Sequence, residues 1–153
     1  KKNIKIKIIG NINKFPKSLK LKLKKSENLT KKNNKIQVNV ALNYGSREEI
    51  INSVKKLKKL ALPINQKNIT KFLYTTNIPD PEILIRTGDT NRLSNFLLWK
   101  SIYSEIFFEK KLWPDFNKND LNRILIKFKK INRNFGGLRW PNLTKDYSLQ
   151  YFY

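Results

Sequence analysis

The sequence contains no cysteine and no histidine. Without cysteine, the chain can form neither a disulfide nor a thiol nucleophile, and Cys/His zinc sites are excluded as well. Without histidine, no imidazole can act as a general base near neutral pH. Any chemistry of this chain must therefore rely on carboxylates, arginine, lysine, hydroxyls and backbone amides.

Long apolar runs are also lacking. The longest, such as IFF and FLLW, fall far short of the about 20 residues that cross a bilayer, and the sequence starts with no signal-peptide core. We therefore expect a cytoplasmic protein without a membrane span. The sequence starts without methionine, directly in KKNIKIKIIG, and we expect it to be a piece of something longer.

Acidic residues are few, since 11 of them stand against 33 basic residues and give a formal net charge of +22. Only six of the basic residues are arginine, and the other 27 are lysine. Such a charge indicates an anionic partner, for example nucleic acid, a phosphate-bearing metabolite or a membrane face. The abundance of Lys, Asn and Ile equally indicates AT-biased coding with lysine on solvated faces. Both interpretations stay open.

The chain has the size of one domain, and the spacing of its apolar residues predicts strands that alternate with helices. Alternation in IKIKII and IQVNVAL, together with the run EILIR, predicts strands at residues 4–9, 36–42 and 82–86. Helical spacing predicts helices at residues 15–29, 47–60, 68–74, 94–108 and 121–132. The first of these contains LKLKL, which alone would also suit a strand. Pro63 is expected to end the second helix, and Gly136 with Gly137 the last.

This order predicts an α/β fold with a central parallel sheet flanked by helices. In open sheets of this kind, ligands bind at the carboxyl ends of the strands. Two polar loops, NYGSR and RTGDTNR, follow predicted strands. We expect both loops on that same edge of the sheet.

The segment RTGDTNRLSNF has the composition of an anion site. Arg86 and Arg92 stand in a chain that otherwise uses lysine, and a guanidinium grips phosphate with two parallel hydrogen bonds where an ammonium offers a point charge. Hydroxyls such as that of Ser94 add donors, as would the amides of the helix predicted behind the loop. The alternative is that one arginine pairs with Asp89 or Glu82 while the other lies on the surface.

Glu105 follows Ser94 by eleven residues, close to three turns of 3.6 residues on the same predicted helix. Both side chains would then face the same way, and Glu105 could help to hold Mg²⁺ beside a diphosphate. The alternative is a surface glutamate that pairs with a lysine such as Lys100.

The stretch IRTGDTNRLSNFLLWKSIYSEIFF, with LWPDF downstream, closely resembles the signature of the cis-prenyltransferases, the undecaprenyl diphosphate synthase group. That family's pattern reads roughly D-x-x-I-R-T-G-G-x-x-R-x-S-N-F-L-L-W-Q-x-x-Y-x-E, followed by W-P-D-F. ALNYGSREEI is similar to its N-Y-G-G-R loop, and IKIKIIGN to its earlier strand that ends in Ile-Gly. The resemblance covers residues 1–138, interpreted as part of a single domain, and leaves residues 139–153 as a tail of unknown origin.

The resemblance implies an α/β fold, usually a homodimer, and a prenyl transfer reaction. Members condense isopentenyl diphosphate onto an allylic diphosphate such as farnesyl diphosphate, form a Z double bond, and release pyrophosphate with Mg²⁺. Carried over by position, Arg86, Arg92 and Ser94 would bind the isopentenyl diphosphate, and Glu105 would lie near the metal. The product would be an undecaprenyl diphosphate-like lipid carrier, which implies peripheral contact with the membrane and no specific nucleic-acid partner.

The chain departs from the family pattern at four positions. Asp89 and Ser46 replace the second glycines of R-T-G-G and N-Y-G-G-R, Asn91 stands where His is frequent, and Asn134 stands where R-R-F-G has its second Arg. The family's N-terminal D-G-N-x-R-W segment, which carries the catalytic Asp, has no counterpart between Lys1 and Gly10. We therefore assign no catalytic residue in this fragment and expect no turnover by it alone.

Two other functions stay open. A noncatalytic partner subunit of a heteromeric cis-prenyltransferase would also lack that segment, although the retained Arg86, Arg92, Ser94 and Glu105 favour the enzyme. A basic nucleic-acid-binding module is supported only by the net charge, because the sequence has no recognisable binding motif of that kind.

Overall fold

The computed structural model describes residues 3–133, whose helices and strands divide into two units between Asn117 and Lys118. The first unit contains β1 (Ile4–Ile9), α1 (Lys17–Thr30), β2 (Ile36–Ala41), α2 (Ser46–Lys59), α3 (Gln66–Phe72), β3 (Ile83–Thr87) and β4 (Glu105–Glu109). The second contains helix α4 (Lys118–Lys129). The predicted boundary at Leu138, the tail after it and the helix end at Gly136 and Gly137 lie outside the described residues.

Strands β1 and β2 pair in parallel, from Ile4 opposite Ile36 to Ile9 opposite Ala41. Helix α1 connects them, so these elements form one β–α–β crossover. Alternating apolar residues predicted both strands. The helical interpretation of LKLKL is confirmed, because this segment lies inside α1.

The outer edge of β1 is closed by side chains of α1. The Ile6 amide donates a hydrogen bond to Thr30 Oγ1 (3.1 Å), and the Ile8 amide donates one to Glu27 Oε1 (2.8 Å). These two amides would otherwise be free to pair with another strand. The sheet is therefore capped on the side of β1.

Strands β3 and β4 form a second parallel pair, in which Ile83 lies opposite Glu105. The helix predicted over residues 94–108 is wrong: the connection from β3 to β4 (residues 88–104, the β3 loop) consists of turns and bends, and EIFFE forms β4. Within the predicted helix, Ser94 (48°), Asn95 (62°) and Leu97 (49°) have left-handed φ angles. Right-handed helical backbone cannot continue through such residues, although the apolar spacing suited a helix.

Helix α2 ends at Lys59, four residues before Pro63. Ala61 adopts a left-handed φ of 52°, and the Leu62 amide donates to the Leu57 carbonyl (3.0 Å). This is the Schellman arrangement that commonly ends helices. The prediction that Pro63 ends the helix is therefore wrong, because the chain has already turned.

The predicted α/β class is confirmed, since parallel strands and helices make up the first unit. Among residues 3–133 the strands form two parallel pairs rather than one continuous ladder. The helices predicted at residues 68–74 and 121–132 are present as α3 and α4, shifted by two to three residues. Ile9, Leu57, Leu73 and Leu84 are the buried apolar residues of the first unit. No helix in the described part of the chain has the length and apolar content of a membrane span.

Candidate functional site

The loop after β2 contacts the β3 loop at Asn95 and Phe96, just beyond the predicted RTGDTNR segment. The Asn95 carbonyl accepts the Ser46 amide (2.8 Å), and Asn95 Oδ1 accepts the Arg47 amide (2.9 Å). The rings of Tyr44 and Phe96 pack edge to face, with centroids 5.6 Å apart. The loop after β2, the start of α2 and the β3 loop therefore form one continuous surface.

Arg86 lies on β3 two residues after the buried Leu84, so both project from the same face of the strand. Its Nε is buried and has no hydrogen-bond partner in the structure. Neither Arg86 nor Arg92 makes an ion pair with any of the described residues. The alternative in which one arginine pairs with Asp89 or Glu82 is therefore wrong. A buried polar group without a partner costs about 1–3 kcal/mol, and a bound anion would recover that free energy.

A cavity of about 370 Å³ lies beside Arg86. It is lined by all five residues of β3 together with Pro81, Leu93, Phe96 and Leu97. Successive residues of a strand point to opposite faces, so a cavity that touches all five must follow an edge of β3. Strand β4 occupies one edge, which places the cavity along the other. Its volume lies within the about 300–1,000 Å³ of small-molecule sites.

Arg92 and Ser94 are exposed and flank Leu93, one of the residues that line this cavity. The structure thus brings their segment to the cavity of Arg86, although neither side chain lines it. Their position depends on the conformation of the β3 loop, in which Ser94 itself is left-handed.

The backbone amides at the start of the β3 loop are already used. The Gly88 amide donates to the Lys111 carbonyl (2.8 Å), and the Asp89 amide donates to the Glu109 carbonyl (3.3 Å). No helix begins within residues 88–104. The predicted contribution of helix amides to an anion site is therefore wrong, and the guanidinium of Arg86 is the donor that stays available.

Glu105 is the first residue of β4 and lies opposite Ile83, three residues before Arg86. At about 3.3 Å per residue, this separates the two positions by about 10 Å along the strands. Within residues 3–133, no three acidic side chains converge on a position that could hold a metal ion. The described residues therefore do not by themselves fit a Mg²⁺ site, and the role of Glu105 stays a prediction.

The alternative partner for Glu105, Lys100, is engaged by another segment. Its ammonium donates to the Ile78 carbonyl (2.7 Å) and lies 2.7 Å from Asp80 Oδ1. These contacts tie the β3 loop to the chain just before β3. They also close one side of an apolar cavity of about 230 Å³ that shares Pro81 with the cavity beside Arg86.

A buried polar cluster below the loops was not predicted from the sequence. Glu49 is 2% exposed, and its carboxylate accepts hydrogen bonds from the Tyr44 hydroxyl and from the amide and hydroxyl of Thr75. Burial and the bond to Glu49 raise the pKa of Tyr44 well above its usual value. The sequence held a partial signal, because Glu49 shares a helix face with Leu57 at a spacing of eight residues, and the structure shows Leu57 fully buried.

The departures from the family pattern fall in different surroundings. Asp89 is exposed and left-handed (φ 51°), a conformation in which the glycine of the pattern would be unstrained. Ser46 is fully buried, and its hydroxyl has no hydrogen-bond partner. Asn91 is exposed. Asn134 lies outside the described residues.

Comparison with known proteins gives one consistent result. A prenyltransferase family model described as "Putative undecaprenyl diphosphate synthase" matches residues 1–136. A ditrans,polycis-undecaprenyl-diphosphate synthase of Haemophilus influenzae, specific for (2E,6E)-farnesyl diphosphate, is 42% identical over 144 residues, which cover 90% of this chain and 60% of that protein. An isoprenyl transferase of Rickettsia prowazekii is 41% identical over 137 residues, covering 87% of this chain and 59% of the relative.

Solved structures agree with the sequence comparisons. The crystal structure of a probable undecaprenyl diphosphate synthase from Campylobacter jejuni superimposes with a TM-score of 0.82 at 34% identity, over 88% of this chain and 64% of that one. Lavandulyl diphosphate synthase from Lavandula x intermedia, in complex with dimethylallyl diphosphate, gives a TM-score of 0.83 at 31% identity, over 90% and 62%. The chain thus spans about three fifths of the length of these proteins.

Proposed function

Since the chain belongs to the undecaprenyl diphosphate synthase family of cis-prenyltransferases, we propose that it forms the isopentenyl diphosphate site of such an enzyme. The complete reaction joins isopentenyl diphosphate to an allylic diphosphate with Z geometry and yields a polyprenyl diphosphate. We also propose that the protein is cytoplasmic and contacts the membrane through its lipid product.

The observation that carries the proposal is the unpartnered Nε of Arg86 beside a cavity of about 370 Å³. A diphosphate would supply the missing acceptor, and the planar guanidinium matches two of its oxygens at once. The apolar lining from Ile83, Ile85 and Leu93 suits the short hydrocarbon of isopentenyl diphosphate. Fixing the diphosphate end would orient the double bond toward the allylic partner.

In this proposal Arg92 and Ser94 bind the same diphosphate from the β3 loop. Both are exposed beside Leu93 and are free to reach a ligand in the cavity. Glu105 and Mg²⁺ belong to the proposal only as companions of a bound diphosphate, because Mg²⁺ is commonly held by one or two carboxylates plus substrate phosphates. Titration with Mg²⁺ alone should therefore give no measurable heat, and tight binding of the metal alone would contradict this view.

We further propose that this stretch of chain, taken alone, binds isopentenyl diphosphate but does not turn it over. The support is that no three acidic groups converge on a possible metal position within residues 3–133. Purified protein with farnesyl diphosphate, isopentenyl diphosphate and Mg²⁺ should incorporate no radiolabel. Robust incorporation would refute this part of the proposal.

A second copy of this chain is the proposed protein partner. Large apolar side chains are exposed on β4 and in the residues that flank it, including Ile102 (67%), Phe108 (46%) and Trp113 (72%). Exposed apolar residues of this size often mark a protein contact. Sedimentation equilibrium should give a dimer that Phe108→Glu converts to monomer, whereas a monomeric wild-type protein would contradict the proposal.

The central test is calorimetric titration of the protein with isopentenyl diphosphate. Arg86→Lys keeps the charge and removes the planar fork, so binding should weaken by about 1–3 kcal/mol, roughly 10- to 100-fold. The matched control is Arg123→Lys on α4, where the arginine pairs with Asp120 and its side chain is 48% exposed. Equal affinities of wild type and Arg86→Lys would remove Arg86 from the site.

The same titration distinguishes the proposed enzyme from the alternative function, a noncatalytic partner subunit. A noncatalytic supporting subunit would have no need to bind isopentenyl diphosphate itself. Binding that depends on Arg86 therefore favours the enzyme, and the absence of binding favours the subunit.

A further inference from the structure

Asn95 makes two backbone-directed contacts with the first turn of α2. Its carbonyl accepts the Ser46 amide (2.8 Å), and its Oδ1 accepts the Arg47 amide (2.9 Å). The first amides of a helix have no partner within the helix, so an acceptor from elsewhere must satisfy them. Here the acceptor comes from the β3 loop, 48 residues further along the chain than Arg47.

Gly45 allows this close approach. A Cβ atom at Gly45 would lie 2.8 Å from Asn95 Nδ2, closer than such atoms come in real structures. The two loops are therefore packed against each other by backbone and by one amide side chain. The edge-to-face contact of Tyr44 with Phe96 continues the same interface.

The segment that Asn95 anchors is in an unfavourable conformation. Ser94, Asn95 and Leu97 all have left-handed φ angles, between 48° and 62°. Asparagine tolerates this region better than most residues, whereas serine and leucine do not favour it. External contacts must therefore hold the segment in place, and the two hydrogen bonds of Asn95 are such contacts.

We infer that Asn95 is a positioning residue, which docks the β3 loop on the first two amides of α2 and thereby fixes Arg92 and Ser94 beside the cavity of Arg86. Arg92 is three residues before Asn95, and Ser94 directly precedes it. Asn95 itself contacts no substrate in this arrangement. The inference rests on the proposed function for the identity of the ligand, but the docking itself does not depend on it.

Two substitutions isolate the side-chain bond. Asn95→Gly removes Oδ1 but tolerates the left-handed backbone, so it breaks the bond to the Arg47 amide without adding strain. Asn95→Asp keeps an acceptor at the same place, and its charge is favourable at a helix N-terminus. Asn91→Gly is the matched control, because it loosens the same loop at an exposed residue without a hydrogen bond to the described chain.

The first measurement is hydrogen exchange followed by NMR, which is practical for a protein of 18.2 kDa. In Asn95→Gly the Arg47 amide should exchange about tenfold faster than in wild type, while Asn95→Asp and Asn91→Gly keep wild-type rates. Unchanged exchange in Asn95→Gly would overturn the inference.

The second measurement is the affinity for isopentenyl diphosphate. Asn95→Gly should bind about tenfold more weakly than wild type, because Arg92 and Ser94 lose their fixed position. Faster exchange with unchanged affinity would reduce Asn95 to a structural residue and overturn its positioning role. No binding by the wild-type protein would count against the proposed function, and the exchange rates would still decide whether Asn95 holds the loop.

Discussion

The hydroxyl of Tyr44 donates a hydrogen bond to the carboxylate of Glu49, which is buried in the first turns of α2. Thr75 donates to the other oxygen of the same carboxylate. Tyr44 follows β2 and also contacts Phe96 of the β3 loop. The pair thus connects the interior of the first unit to the surface on which the candidate site lies.

We predict that this pair makes stability fall at high pH. Burial and the bond to Glu49 raise the pKa of Tyr44 in the folded protein, whereas tyrosine in an unfolded chain ionises near pH 10. The unfolded chain therefore releases the proton first, and the free energy of unfolding should fall as the pH rises above about 10, by at most about 1.4 kcal/mol per pH unit.

Urea unfolding of wild type and Tyr44→Phe between about pH 8 and about pH 11 checks this prediction. Lysine deprotonation affects both proteins alike, so the difference between them reports Tyr44. Wild type should be more stable at pH 8, by about 1 kcal/mol for the lost hydrogen bond, and the difference should shrink as the pH rises. A difference that is independent of pH would contradict the prediction.

Ala61→Gly should stabilise the protein. Ala61 is left-handed at the end of α2, at the position where Schellman motifs prefer glycine. Relief of that conformation is expected to add about 1 kcal/mol to the free energy of unfolding. Ala41→Gly at the end of β2 is the control, and it should destabilise because glycine weakens strands. Loss of stability in Ala61→Gly would show that the turn is not strained.

Lys100 and Asp80 should contribute differently to the free energy of unfolding, although they form one ion pair. The Lys100 side chain is 9% exposed and also donates to the Ile78 carbonyl, whereas the Asp80 side chain is 66% exposed. Lys100→Met should cost about 1–3 kcal/mol, because the carbonyl loses its charged donor. Asp80→Asn should cost less than about 1 kcal/mol, as is typical of exposed pairs. Equal costs in thermal unfolding would mean that the ion pair dominates.

Salt should weaken binding to the lysine-rich surface far more than it weakens binding to the arginine site. Exposed charges are screened over about 8 Å at physiological ionic strength, and a guanidinium with a buried Nε is screened much less. Binding of mixed-sequence DNA, followed by fluorescence anisotropy, should largely disappear between about 50 and about 200 mM salt, while binding of isopentenyl diphosphate should fall far less. Salt-resistant, sequence-selective DNA binding without diphosphate binding would favour a nucleic-acid module instead.

The elements that could be predicted from the sequence are those set by local periodicity. The alternation of Ile and Lys in β1 and the helical spacing in α2 are local signals, so both elements were predictable, although β1 is half-buried throughout except at Ile9. The β3 loop was not, because its conformation depends on single left-handed residues and on a contact between Asn95 and α2. A short apolar run such as EIFFE fits helix and strand equally well until its pairing partner is known.

The candidate site was predictable only where a residue type is unusual for this chain. Arg86 stands out in a lysine-rich chain, and the structure leaves its Nε without a partner. The placement of Glu105 on a helix beside Ser94 was wrong, because that inference required the helix that the chain does not form. The partners of the buried Lys100 and Glu49 were not predicted for a related reason: they come from distant parts of the chain, which local periodicity does not report.

The capped edge of β1 has a consequence for how concentrated protein can misassemble. Exposed strand edges recruit strands from other chains, and the isoleucines of IKIKII suit such pairing, although Lys5 and Lys7 oppose it. Thr30 and Glu27 occupy the amides of Ile6 and Ile8 on that edge. While α1 stays folded, the amides of Ile6 and Ile8 are not available to a strand from another chain. Local unfolding of α1, rather than of the whole protein, is therefore the event that would expose this segment to aggregation.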